Sequence, residues 1–72
     1  MTQKKYWIGQ PPSTDDFGLP ITDTFYDGKT RIGPWAFMSP ISWPKYGIGK
    51  TGLGLAQKYQ RQSDGRWLKT EG

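Results

Sequence analysis

Ile21-Thr22-Asp23-Thr24-Phe25-Tyr26-Asp27-Gly28-Lys29-Thr30-Arg31-Ile32-Gly33-Pro34-Trp35-Ala36-Phe37-Met38 is the stretch that decides the fold class. Its opening residues are rich in β-branched and aromatic side chains, which suit a pleated, half-buried surface. Asp27-Gly28 is a strong hairpin-turn signal, because glycine adopts positive φ without steric cost. Thr30-Arg31-Ile32 then returns, Gly33-Pro34 bends the chain, and Trp35-Ala36-Phe37-Met38 continues extended. The stretch predicts a β-hairpin over residues 20–38. It is the most hydrophobic part of the sequence and the expected centre of the core.

A second hairpin is expected over residues 55–71. Leu55-Ala56-Gln57-Lys58-Tyr59-Gln60-Arg61-Gln62 leads into Ser63-Asp64-Gly65-Arg66, and Trp67-Leu68-Lys69-Thr70 returns. Asp64-Gly65 is again the turn signal. A helix is the rival for residues 55–62, since Gln, Lys, Arg, Leu and Ala are good helix formers. Between the hairpins, Ser39 and Pro40 fit an N-cap and first helical position. Pro44 restricts any helix there to a turn or two, and Gly47 is a stop signal. Gly47, Gly49, Gly52 and Gly54 make the next segment a flexible or tightly turning loop.

Residues 1–13 read as a flexible N-terminal arm, with Lys4-Lys5-Tyr6-Trp7-Ile8 as a short strand candidate and Gln10-Pro11-Pro12-Ser13 held extended. Residues 14–72 form the expected single domain. Its class is small and mainly β (α+β): two β-hairpins plus one short helical turn. The expected core is Phe17, Ile21, Phe25, Ile32, Trp35, Phe37, Leu55 and Leu68.

Composition narrows the chemistry. The 72 residues include ten Lys or Arg and six Asp or Glu, for a net charge of +4. There is no Cys, His or Asn, which excludes a disulfide framework, a Cys/His zinc site and histidine-based catalysis. No stretch approaches the ~20 apolar residues of a spanning helix, and the N-terminus lacks the apolar segment of a signal peptide. The expected location is therefore cytoplasmic, with no membrane partner. A domain this small buries only about 60% of its unfolded surface, so the aromatic side chains must supply most of the core.

The motifs are uneven in weight. Gly47-Ile48-Gly49-Lys50-Thr51-Gly52 fits G-x-G-x-x-G, but neither a βαβ unit nor a complete P-loop surrounds it, since Pro44 occupies the place of the first P-loop glycine. Asp15-Asp16, Asp23 and Asp27 have the residue type for acid–base work or a hard cation; solvated turn aspartates are the commoner case. No catalytic residue, metal ligand or cofactor is expected. Aromatic and basic residues interleave at Lys4-Lys5-Tyr6-Trp7, at Trp43-Pro44-Lys45-Tyr46 and at Lys58-Tyr59-Gln60-Arg61. Such surfaces serve protein interfaces and nucleic acids alike. The partner-binding candidates are Lys4, Lys5, Tyr6, Trp7, Trp43, Tyr46 and Arg66. The whole charge excess falls after residue 44, and Lys50, Lys58, Arg61 and Lys69 are the candidates for contacts to DNA or RNA.

Thr14-Asp15-Asp16-Phe17-Gly18-Leu19-Pro20-Ile21-Thr22-Asp23-Thr24-Phe25-Tyr26-Asp27-Gly28 resembles a small family of phage and prophage proteins. So do Gly33-Pro34-Trp35-Ala36-Phe37-Met38, Gly54-Leu55-Ala56-Gln57-Lys58-Tyr59 and Asp64-Gly65-Arg66-Trp67. The resemblance covers residues 14–72 and implies a zinc-ribbon-like fold with one Cys-x-x-Cys knuckle before the hairpin and one after it. Those positions fall here on Thr14 and Phe17, and on Ser39 and Ser42, none of which is a zinc ligand at neutral pH. The resemblance thus implies a degenerate, metal-free zinc ribbon in which packing of Phe17 and Trp43 replaces the metal. In size and character the chain is also similar to the RNA-polymerase-binding transcription regulators made by lytic phages of Xanthomonas. That similarity implies a monomeric host-takeover factor. It would contact the large subunits of bacterial RNA polymerase, at the amino-terminal part of β′ and at the β flap, with effects on initiation and antitermination.

Overall fold

The computed structural model describes residues 4–72. Four strands, β1 (Thr24–Lys29), β2 (Trp35–Met38), β3 (Ala56–Arg61) and β4 (Trp67–Glu71), form one antiparallel sheet in the order β2-β1-β3-β4. A single short helix, α1 (Ser42–Tyr46), lies between β2 and β3. Both expected hairpins are present, and they join through β1 and β3, with Phe25 opposite Tyr59. Residues 56–61 are strand, not helix: their partners on both sides outweigh a weak local preference.

The first hairpin turns in a different place from the one expected. β1 runs straight through Asp27 and Gly28, and the loop is Arg31-Ile32-Gly33. There the Thr30 N–H donates to the Pro34 carbonyl at 2.9 Å and the Gly33 N–H to the Thr30 carbonyl at 3.0 Å. The second hairpin closes in the same way around Ser63-Asp64-Gly65, with Gln62 N–H to Arg66 O at 2.7 Å and Gly65 N–H to Gln62 O at 2.9 Å. Each three-residue loop ends on a glycine at positive φ, Gly33 at 114° and Gly65 at 86°, as such loops require. Gly28 serves another purpose. It is buried opposite Ala56, and a Cβ there would collide with the Ala56 side chain and backbone.

One face of the sheet carries an aromatic cluster. Phe25 is fully buried at its centre, stacked on Tyr59 at 5.1 Å and close to Trp67 at 5.2 Å. Trp7 closes the cluster, edge-on to Phe25, Phe37 and Tyr59 with ring centroids 5.4 Å away in each case. Such ring pairs each add about 0.5–1.5 kcal/mol beyond area burial. The expected arm is therefore anchored in its described part. The Trp7 N–H donates to Trp67 O at 2.9 Å and the Lys69 N–H to Lys5 O at 2.8 Å, so residues 5–7 cover the β4 edge. Residues 1–3 lie outside the described part of the chain.

The other face packs against α1, where Trp43 stacks on Tyr26 at 4.4 Å and Met38 is fully buried. The turn before α1 is closed by Ser39, whose Oγ accepts from the Ser42 N–H at 3.1 Å and whose carbonyl accepts from the Trp43 N–H at 2.9 Å. Arg31 caps the helix C-terminus. Its Nε donates to Gly47 O at 3.0 Å and its Nη2 to Pro44 O at 2.9 Å, where a cation also meets the favourable end of the helix dipole.

Of the expected core, Ile21 and Phe25 are buried, and Phe37, Leu55 and Leu68 are half-buried. Phe17, Ile32 and Trp35 are exposed; Met38 and Ala56 take their places inside. Ile32 is outside because it occupies the tip of the true hairpin loop.

Candidate functional site

Two features stand out where the 14–20 turn meets the segment after β2: a buried polar centre and, beside it, an exposed aromatic surface.

Asp15, Ser39 and Ser42 make the polar centre. Asp15 is 5% exposed and Ser42 fully buried. Asp15 Oδ1 accepts from the N–H groups of Phe17 and Leu19, both at 2.9 Å. Its Oδ2 accepts from the Ser39 N–H at 2.9 Å and from the Ser42 hydroxyl at 2.5 Å. The Ser39 hydroxyl completes the knot toward Ser42 Oγ at 3.4 Å. Burial alone pushes the carboxyl up; the hydrogen bonds from Ser42, Ser39 and Leu19 outweigh it and hold the pKa at about 2. A carboxylate that acidic is a poor proton acceptor at neutral pH. The centre ties the 15–19 turn to the 39–42 segment.

Ser39 and Ser42, the second pair of positions named by the zinc-ribbon resemblance, do converge here. The side chain that meets them is that of Asp15. Thr14 is exposed, with its backbone bridged to Pro20, and Phe17 points outward. A carboxylate and two hydroxyls fill the centre, in place of the expected Phe17 and Trp43. Among the described residues, no cluster of three or more His, Cys, Asp or Glu side chains is placed to hold a metal.

The exposed surface lies on the outside of the same turn. Phe17 stacks on Tyr46 with centroids 4.0 Å apart and planes 8° from parallel. Ile32, 88% exposed, rises from the hairpin tip beside them. These three residues, with Thr30, Arg31 and Lys45, line an apolar hollow of about 210 Å³. Lys45 and Arg31 are exposed at its rim.

The other partner-binding candidates are scattered. Trp7 and Trp43 are spent on the aromatic cluster and on Tyr26. The Arg66 guanidinium lies 4.2 Å from the Tyr6 ring centroid and pairs with Asp64 at 2.8 Å. Lys4 and Lys5 are exposed. Tyr46 alone falls in the hollow, and sequence reasoning missed Phe17, Ile32, Arg31 and Lys45 as its companions. The signal that was available is the glycine at position 33, which places Ile32 at a loop tip.

The four candidates for nucleic-acid contacts form no single patch. Strand alternation puts Arg61 and Lys69 on the face of Tyr59, and Lys58 on the opposite face, paired with Glu71 at 3.7 Å and 5.7 Å from the Tyr26 ring centroid. Lys50 sits in the glycine loop, which follows α1 and precedes β3, the reverse of the strand-then-helix setting of a dinucleotide site. No helix among the described residues is long and apolar enough to cross a membrane.

No family model, curated protein or solved structure matches this chain.

Proposed function

We propose that this chain is a non-enzymatic regulator that acts in the bacterial cytoplasm by binding a protein, and that its partner is bacterial RNA polymerase. The observation that carries the protein-binding reading is the exposed Phe17–Tyr46 stack with Ile32 beside it and Lys45 and Arg31 at its rim. Aromatic anchors with a basic rim are the composition of interface hot spots. The choice of polymerase rests on the resemblance to phage transcription regulators, which also supplies the contact regions proposed: the amino-terminal part of β′ and the β flap. Binding there would alter transcription by inhibiting initiation, by antitermination, or by both.

The test uses purified RNA polymerase, treated with nuclease, and the tagged full-length chain. Retention of the polymerase by the tagged chain, with altered promoter-dependent or terminator-dependent transcription, is the expected result. No retention and unchanged transcription would refute the reading.

The alternative is a basic nucleic-acid-binding module. It is favoured by Arg61 and Lys69 sharing one face, and opposed by the engagement of Tyr59, Trp67 and Trp7 with Phe25. Neutralising Z phosphates gives a log–log salt slope near −0.9Z on duplex or about −0.7Z on single strands. A flat salt response would dispose of it.

A further inference from the structure

We infer that the hollow between Phe17, Ile32 and Tyr46 is the docking point for an acidic protein segment that inserts one bulky apolar side chain there. This deepens the protein-binding reading and rests on it.

Size is the first argument. An apolar cavity of roughly 150 Å³ accepts a benzene ring, so about 210 Å³ has room for one Phe, Leu or Met side chain. Rigidity is the second. Phe17 follows the Asp15 turn, whose carboxylate accepts the Phe17 N–H, and Tyr46 closes the helix that Arg31 caps. The two aromatic walls of the hollow are thus held before binding, which lowers the ordering cost of association.

Charge selects the occupant. The Arg31 guanidinium bonds only uncharged carbonyls, those of Pro44 and Gly47, so its charge is not neutralised there. The ion pairs among the described residues are Lys58–Glu71 and Arg66–Asp64, which leaves Lys45 available at the rim. Asp16, next to Phe17, turns its Oδ2 to the Phe37 N–H at 2.8 Å on the β2 edge. A second copy of this chain would bring another +4 of charge against the same rim. A nucleobase finds no slot between Phe17 and Tyr46, because the two rings already stack on each other. An acidic polypeptide with an apolar anchor satisfies both the wall and the rim.

The experiment is a titration of the isotope-labelled full chain with a glutamate-rich peptide carrying one central phenylalanine. Control peptides replace that phenylalanine by alanine, or the glutamates by lysines. Amide shifts confined to Phe17, residues 30–33 and residues 44–47 are expected, with both controls at least about tenfold weaker. Ile32→Asp, at an exposed loop tip, should leave the spectrum folded and weaken the peptide at least about tenfold, and Lys45→Glu should weaken it too. Absence of these shifts overturns the inference, as does an unchanged affinity of Ile32→Asp. Equivalent shifts from a single-stranded oligonucleotide overturn it in favour of nucleic acid. A wild-type dimer that Ile32→Asp dissociates overturns it in favour of self-association. Purified polymerase separates the two readings. Equal polymerase binding by wild type and Ile32→Asp overturns the docking point and leaves the polymerase reading standing. A polymerase that ignores the wild type, while the peptide fills the hollow, does the reverse.

Discussion

The polar centre at Asp15 and the aromatic cluster at Phe25 hold the same small domain together by opposite means. At Phe25 the forces are non-directional: four rings gather around its buried side chain, three placed by strand alternation and Trp7 by the pairing of residues 5–7 with β4. At Asp15 they are directional. One carboxylate gathers four donors from two separate stretches of chain, residues 17–19 and 39–42. The contrast shows how 72 residues without a disulfide or a cysteine-based metal site fix their loops. Packing secures the sheet, and a charge buried among donors ties the irregular segments to it.

The comparison breaks most visibly at Phe25. Phe25→Ala leaves a cavity under Trp7 and should cost about 3–5 kcal/mol, which threatens folding altogether in a domain of this size. Chemical denaturation measures it. A cost below about 1 kcal/mol would mean that the cluster collapses to fill the space and that the sheet is not centred there.

Asp15→Ala should cost about 3 kcal/mol, because it strands buried donors as well as removing charge-assisted bonds. Ser42→Ala should cost less, and almost nothing once Asp15 is already alanine. Additive losses in that cycle would show that the two residues act separately.

Acid sharpens the same contrast. The folded pKa of Asp15, about 2, lies below the ordinary 3.8. Its stabilisation is therefore complete above about pH 4 and lost as pH falls toward 2, an effect of about 2 kcal/mol. Asp27, on the aromatic side opposite Phe37, behaves in the opposite sense: burial, and then the nearby Asp16 charge, raise its pKa. A raised carboxyl pKa disfavours the folded state at neutral pH, and that penalty fades as pH falls. Asp27→Asn should therefore raise the melting temperature at pH 7, whereas Asp15→Asn lowers it. Acid melts of the two variants check both signs.

The sheet was more legible in the sequence than the polar centre was, for reasons particular to certain residues. Thr24-Phe25-Tyr26 and Trp35-Ala36-Phe37-Met38 announce strands by side-chain type, and Asp64-Gly65 marks a real turn. Asp27-Gly28 carries the same local signal and misleads. Its glycine answers to Ala56, which lies beyond the reach of any local rule. Trp7 reads as a partner-binding candidate in its Lys-Lys-Tyr-Trp context, and the pairing of residues 5–7 with β4 instead turns it onto the aromatic cluster. Asp15 reads as one more turn carboxylate. Its partners Ser39 and Ser42 are 24 and 27 residues away, and no periodicity joins them to it. The hollow is half legible: the aromatic–basic context of Tyr46 points to an interface, but Phe17 and Ile32 read as core because apolar residues usually go there.

The smallest expected effect is none at all, and it decides what the polar centre is. All the contacts of the Asp15 carboxylate are to N–H and O–H donors, and neutral serine hydroxyls are poor zinc ligands. A metal would have to displace those donors before it could bind. Prolonged treatment with a chelator should therefore leave the amide spectrum dispersed and the melting temperature unchanged. Adding zinc should restore nothing, because nothing is lost. If the spectrum collapses on chelation and recovers with zinc, Asp15, Ser39 and Ser42 are ligands held open by metal rather than a hydrogen-bonded knot, and the contrast with the aromatic cluster fails at its root.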